Sequence, residues 1–300
     1  MKYAIIDIGS NTIRLNMYLV RGGKTLPLIQ KKVTAGLASY IDKKTMSEKG
    51  INKLVLTIEK LNKIIDLFES DRKYVFATAA VRNAKNCDEI IKRVKEETGV
   101  EIDLVAGKRE ALLGLNAVRS EYNFDSGIVL DIGGGSSEIT IIDKGKIIYE
   151  ESIPEGSLST FTNYVEGLFP TKKEEKKIRK EVREALETLK APVVKKKYSA
   201  YGIGGTIRCA GNLSSELMST ENPKYISKAD LDEIIKGLSE NKKEVIGTLL
   251  QVNPSRIHTA TTGFIVLSEI LNYLSVDEVF ISDKSIREGY LQEKIGEENE

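Results

Sequence analysis

Apolar and polar positions follow two different periods along this chain, and together they predict an α/β protein. From Tyr3 to Asp7 an apolar run ends on a carboxylate, passes Gly9-Ser10-Asn11, and resumes from Ile13 to Val20. Gly22-Gly23 makes the next turn, and Thr25 to Val33 completes a predicted β-meander. The spacing then becomes helical. Ile51, Leu54, Val55, Ile58, Leu61, Ile65 and Phe68 share one face, with Thr45 and Glu48 as an expected capping box. A strand over Tyr74 to Ala77, a helix over Asp88 to Thr98 stopped by Gly99, a strand over Val100 to Val105 and a helix over Arg109 to Arg119 follow.

A second block repeats the beginning. "GIVLDIGGGSSEITIIDKGKIIYEESI" reads strand, turn, strand, turn, strand, with Asp143-Lys144-Gly145-Lys146 as the hairpin turn. Thr171 and Glu174 open a long helix with Ile178, Val182, Ala185, Leu186 and Leu189 inward; its charges of alternating sign read as a solvated face. "SAYGIGGT" is a strand ending in a glycine turn. The last third reads as helical except for a strand over Glu278 to Ser282, "FIVLSEILNYL" reads as core, and the tail "GEENE" is expected to fray. "AIIDIGSNTIRLNMYLV" and "IVLDIGGGSSEITII" share one pattern, with Asp7 and Asp131 as matching carboxylates. Such self-similarity predicts a duplicated domain with a cleft between the halves, residues 1–120 and 121–300, the last helix (about 284–298) packing back on the first.

Composition narrows the function. The chain is 41% hydrophobic and 30% charged, with 45 basic against 44 acidic residues, so nothing draws it as a whole to a nucleic acid polymer or an anionic membrane. Cys87 and Cys209 form neither a zinc pattern nor a disulfide framework, which points to a reducing compartment. With no signal-peptide pattern and no apolar run near the roughly 20 residues that span a bilayer, the expected location is the cytoplasm. The single histidine, His258, reads as a packing or surface residue rather than part of a triad.

Chemistry concentrates where strands end. Asp131 is followed by Gly133, Gly134 and Gly135, which place a carboxylate beside bare amides able to approach an anion closely. Ser136 and Ser137 add hydroxyls. Asp131 would repel a phosphate, so its expected use is to hold Mg²⁺ or another divalent cation, with Glu138 across the same turn. "DIGSN" and "GIGGT" are turns of the same type, and none of the three is a P-loop or G-x-G-x-x-G. Arg82 follows a strand end, where it either forks two phosphate oxygens or makes an ordinary surface ion pair. Glu110 begins a helix, where it either complements the helix dipole or activates water as a general base.

In order, "DIGSNTIRL", "ATAAVRNAKN", "AGKREALLG", "LDIGGGSSEI", "IPEGS", "GIGGT" and "SDKSIREG" resemble the exopolyphosphatase/guanosine pentaphosphate phosphohydrolase (Ppx/GppA) family, from about Ile6 to Gly289. The resemblance implies two ribonuclease-H-like domains of the actin, Hsp70 and sugar-kinase type around a central cleft. It implies hydrolysis of a terminal phosphoanhydride, of inorganic polyphosphate or of the 5′ end of guanosine pentaphosphate; a polyphosphate- or nucleotide-binding sensor is the non-enzymatic alternative. By the same resemblance Glu110 is the catalytic glutamate, and Asp131 and Glu138 are the metal-linked carboxylates. Ser10, Asn11, Arg14, Arg82, Gly204, Gly205 and Thr206 match the family's phosphate-facing positions. There are three departures. Arg109 stands where the family has a glutamate, and Ser285 where it usually has glycine, so that turn is expected to differ in shape. The extra C-terminal helical domains of long members have no counterpart in these 300 residues, so the expected substrate is short polyphosphate chains rather than long ones handled processively. A homodimer is compatible with these features.

Overall fold

The structure is a computed structural model describing residues 1–192, 198–218 and 222–299. It divides into two compact units: Met1–Glu110 with the stretch from Tyr290 onward, and Ala111–Gly289. The division falls inside two helices, Gly107–Arg119 and Ile286–Asn299, rather than at 120/121.

In the first unit a five-stranded sheet runs in the order Lys24–Thr34, Thr12–Arg21, Lys2–Ile8, Arg72–Ala77, Asp103–Leu104. The first three are the predicted antiparallel meander, and the last two join in parallel. Only two residues of the expected Val100 to Val105 strand pair with a neighbour. Alternation sends Ala4, Ile6 and Ile8 to one face, where they meet Ile51, Leu54, Val55 and Ile58 of the helix Glu48–Leu67. That helix is capped by Ser47, whose hydroxyl accepts from Gly50 N at 3.4 Å. Thr45 is not the cap, because it lies in a two-residue strand paired with Ile41–Asp42.

The other face of this sheet holds the C-terminal helix. Tyr290 stacks on Phe76 with ring centroids 4.6 Å apart and donates its hydroxyl to Asp103 Oδ2 at 2.9 Å. The tail expected to fray is helical through Asn299. Glu298 accepts hydrogen bonds from Tyr3 Oη at 2.7 Å, Tyr74 Oη at 2.5 Å and Arg72 Nε at 3.1 Å. Long-range partners absent from any local pattern therefore fix the last turn.

The second unit's sheet runs Lys146–Ile153, Ser137–Asp143, Gly127–Ile132, Ala200–Ile203, Glu278–Ile281, Tyr225–Ser227. Its first five strands repeat the first unit's arrangement, a meander followed by two parallel additions. The helix Lys172–Thr188 opens on the predicted capping box: Glu174 N donates to Thr171 Oγ1 at 3.3 Å and Thr171 N to Glu174 Oε2 at 2.7 Å. Its charged face is not simply solvated. Arg183 Nη2 reaches Glu269 Oε1 at 2.6 Å, and Arg179 approaches the same carboxylate at 3.5 Å. Glu269 lies on the helix Ala260–Leu274, whose Phe264, Ile265, Val266, Leu267, Ile270 and Leu271 are all core. The two arginines supply the partners that a buried carboxylate requires. Ser285 also gains a role: its backbone N–H and hydroxyl both donate to Glu288 Oε2 at 2.7 Å, starting the helix Ile286–Asn299. Among the described residues no helix is long and apolar enough to cross a membrane.

Tyr290→Ala removes a buried ring and its hydrogen bond, and should lower unfolding stability by about 3 kcal/mol. Tyr290→Phe keeps the stack and should cost about 1 kcal/mol. Urea denaturation of the full chain measures both.

Candidate active site

In the first unit the "DIGSN" turn is fastened through its carbonyls. Gly9 N donates to Thr12 O at 3.1 Å, closing the turn between the first two strands. Ser10 O accepts from Ala38 N at 3.0 Å, and Asn11 O accepts from Ala35 N at 3.0 Å and Gly36 N at 2.9 Å. Ser10 is buried and Asn11 half-buried. Arg14 lies beyond the turn, within the strand Thr12–Arg21, in register opposite Asp7.

The same unit brings Arg82 and Glu110 together, although 28 positions separate them. Arg82 ends a single helical turn, Ala79–Arg82, that follows the strand Arg72–Ala77. Glu110 sits in the first turn of Gly107–Arg119, its N–H donated to Ala106 O at 2.8 Å. Arg82 Nη1 donates to Glu110 Oε2 at 2.7 Å and to Val105 O at 2.9 Å, and Nε to Asn83 Oδ1 at 3.3 Å. Glu110 is only 6% exposed. The pair is therefore no loose surface contact but a charge-assisted bond to a nearly buried carboxylate. Arg109, one residue earlier, engages different groups. It makes paired bonds to Asp103 at 3.0 and 2.9 Å, contacts Glu293, and lies over the Tyr290 ring at 5.6 Å.

In the second unit the triple glycine is shaped by the helix Ser157–Tyr164. Gly133 O accepts from Ser157 N at 2.8 Å; Gly134 O accepts from Leu158 N at 2.8 Å and Ser159 N at 2.9 Å. In a trans peptide the N–H opposes the C=O, so the amides of Gly134 and Gly135 face away from that helix. Neither amide bonds to another described residue. Gly156 lies flush against this peptide: a Cβ there would meet Gly134 C and O and Gly135 N at 2.6 Å. The serines turn inward. Ser137 donates to Glu155 O at 2.6 Å, and Ser136 donates to Glu138 Oε1 at 2.6 Å, joined there by Ser152 at 2.8 Å.

Asp131 and Glu138 are cross-strand partners, so they share one face of the sheet. The Asp131 carboxylate rests on Gly204, which opens the helix Gly204–Leu217 at φ +85; a Cβ at Gly204 would fall 2.2 Å from Asp131 Oδ1. An anion there complements the helix N-terminus. Two adjacent carboxylates suit a magnesium ion that completes its shell with water and phosphate oxygens. No group of three or more metal-binding side chains occurs among the described residues. Gly205 sits half-buried in the same helical turn. Thr206 is buried, and its hydroxyl accepts from Arg256 Nη1 at 3.0 Å.

Arg256 belongs to a set the motif reading missed. Arg208 donates to Ser282 O at 3.0 Å and Lys284 O at 3.2 Å. Burial pulls its basicity down; Arg287 and Arg256 add to this, and Asp131 and Glu288 oppose it. Burial likewise lowers Arg256, with Asp131 among the opposing charges. Arginines stay charged in such settings, so Arg208 and Arg256 place cations within electrostatic reach of Asp131. Arg287 lay inside the quoted "SDKSIREG", but Arg208 and Arg256 gave no signal beyond following "GIGGT" and "NPS".

These paired turns and partnered carboxylates accompany a match of residues 18–298 to the model of the Ppx/GppA phosphatase family. The chain belongs to the Ppx/GppA phosphatase family. It is 28% identical to Exopolyphosphatase 1 of Mycobacterium tuberculosis, over 99% of this chain and 89% of that protein. A bifunctional 3-dehydroquinate synthase/phosphatase of Fusobacterium nucleatum is 29% identical over 97% of this chain and 46% of its own length. The solved Ppx/GppA member from Aquifex aeolicus superposes with a TM-score of 0.80 at 25% identity, covering 100% of this chain and 99% of that one. An exopolyphosphatase from Cytophaga hutchinsonii gives a TM-score of 0.87 at 20% identity over 97% of each chain, a likeness of fold alone.

Two expectations follow for this Ppx/GppA chain. Gly204→Ala forces a side chain onto Asp131 in a left-handed backbone conformation, so phosphatase turnover should fall at least about tenfold. Steady-state kinetics beside an unfolding curve reads this. Burial and the Glu181 carboxylate push Glu155 up to about 7. The unfolded chain titrates this group near 4.3, so the folded state holds the extra proton between those values and loses stability as pH rises through them. Glu155→Gln should match wild type at pH 4 and exceed it at pH 8 by on the order of 1 kcal/mol in urea denaturation.

Proposed function

We propose that this protein is an exopolyphosphatase that hydrolyses the terminal phosphoanhydride of inorganic polyphosphate. The observation that carries the reading is the buried Glu110 carboxylate, held at the start of its helix by Arg82, in a member of a phosphatase family. Phosphoryl transfer asks little covalent work of a protein and much positioning and charge stabilisation. Water attacks the terminal phosphorus, its proton passes to Glu110, the bridging P–O bond breaks, and the shortened chain leaves as an oxyanion. Arg82 supplies a cation in the first unit. The second unit, taken by itself, carries further groups suited to phosphate: the Gly134 and Gly135 amides, the Arg208 and Arg256 cations, and the Asp131–Glu138 pair. Those two carboxylates would hold Mg²⁺, which when bound offsets phosphate charge.

Purified protein with polyphosphate and Mg²⁺ should release phosphate, and Glu110→Gln should release it at least about a hundredfold more slowly. Absence of release by wild type, or equal rates for the two proteins, overturns the reading. Binding without turnover would identify a sensor instead. The ratio of kcat/KM on polyphosphate to that on guanosine pentaphosphate assigns the substrate; a higher value on the nucleotide replaces polyphosphate with it.

A further inference from the structure

Arg82 and Glu110 have separate tasks in the proposed reaction, and the structure ties them to each other. A general base needs a carboxylate with proton-accepting capacity to spare. Here one Glu110 oxygen is engaged at 2.7 Å by a guanidinium, in a setting where Glu110 is almost fully buried. Such a partner weakens a carboxylate as a proton acceptor, because every proton taken up must be exchanged against the cation. A phosphate-gripping arginine, in turn, is weakened if its charge is already neutralised. We infer that Arg82 is handed from Glu110 to the terminal phosphate when substrate binds, so that the base is released only in the presence of its substrate.

The local geometry suits a hand-over. Arg82 has a side-chain exposure of 17% against 7% for Glu110, so the guanidinium is the more accessible member. Its Nη1 is also bonded to Val105 O, a main-chain anchor that does not depend on Glu110. Its Nη2 makes no hydrogen bond to any described residue and presents donors to an arriving oxyanion. A phosphate dianion with three oxygens offers the guanidinium a two-point bond, which exceeds what one carboxylate oxygen gives it now. The inference rests on the proposed function for the roles of the two residues.

The test is a double-mutant cycle on binding, because competition for Arg82 is a coupling and not a single effect. The probe is methylenediphosphonate with Mg²⁺, whose P–C–P bridge resists hydrolysis, so wild type and variants are all measured by titration calorimetry. Arg82→Gln should weaken binding. Glu110→Gln should tighten it about tenfold, because the guanidinium no longer leaves a charged partner. In the Arg82→Gln background the same Glu110→Gln change should alter affinity less than about twofold. Tightening that persists without Arg82 would be plain charge repulsion between Glu110 and the probe, and overturns the hand-over. Unchanged affinity in Glu110→Gln, or no binding by wild type, overturns it too. If Arg82→Gln does not fold, as judged by its unfolding curve, Arg82→Lys takes its place under the same criterion. Phosphate release from polyphosphate is assayed on the same wild-type sample. A wild type that shows the coupling but releases no phosphate overturns the proposed function and leaves the hand-over standing.

Discussion

A nearly buried carboxylate held by a half-buried guanidinium, Glu110 and Arg82, forms the constraint on which the first unit turns. Removing two charges from solvent is costly unless both find further hydrogen bonds. Arg82 finds them in Val105 O and Asn83 Oδ1. The main chain does the aligning: Val105 N donates to Ala77 O at 3.0 Å, which ties the segment before Glu110 to the strand end before Arg82. The sheet thus delivers both residues from neighbouring strand ends, and the meander on its other side supplies the buried platform.

The second unit solves a different problem, presenting backbone rather than side chains. Its three glycines are not loose. Their carbonyls cap the helix Ser157–Tyr164, and that fixes where the opposed amides face. Gly156 and Gly204 then allow approaches that a Cβ would block, one against the Gly134–Gly135 peptide and one against Asp131. Arg208 and Arg256 add cations within electrostatic reach of Asp131, the second of them buried. A polyanion suits such a surface, since backbone amides and a helix N-terminus bind charge without competing carboxylates of their own. Asp131 is the exception, and in the proposed function a divalent cation would reconcile it with phosphate.

Much of this was legible in the sequence because it is local. The meander of Lys2–Ile8, Thr12–Arg21 and Lys24–Thr34, its repeat after Gly127, and the Thr171–Glu174 cap all follow from alternation and turn chemistry. Within the first unit Arg82 meets Glu110, and within the second Asp131 pairs with Glu138 across two strands. What escaped was long-range. The tail "GEENE" reads as frayed because its partners, Tyr3, Tyr74 and Arg72, lie more than two hundred positions away. Arg179 and Arg183 read as solvated because Glu269 is hidden in an apolar helix. Thr45 matched a capping box by spacing, yet a two-residue strand took it and left Ser47 as the cap. The inward turn of Ser136 and Ser137 depended on Glu138 and Glu155, which no spacing rule connects to them.

Arg109 shows how helix geometry limits what a departure from a family pattern means. Consecutive helical residues point about 100° apart, so the neighbour of Glu110 in sequence is not its neighbour in space. Glu110 faces Arg82, while Arg109 faces Asp103, Glu293 and the Tyr290 ring. An arginine at this position therefore leaves the Arg82–Glu110 contact intact and joins the set that docks the C-terminal helix on the sheet. Its positive charge is matched by two carboxylates on that side, which keeps it from acting as a second, competing cation for Glu110. Arg109 thus belongs to the architecture of the first unit, tying the start of the Glu110 helix to Asp103 and Glu293.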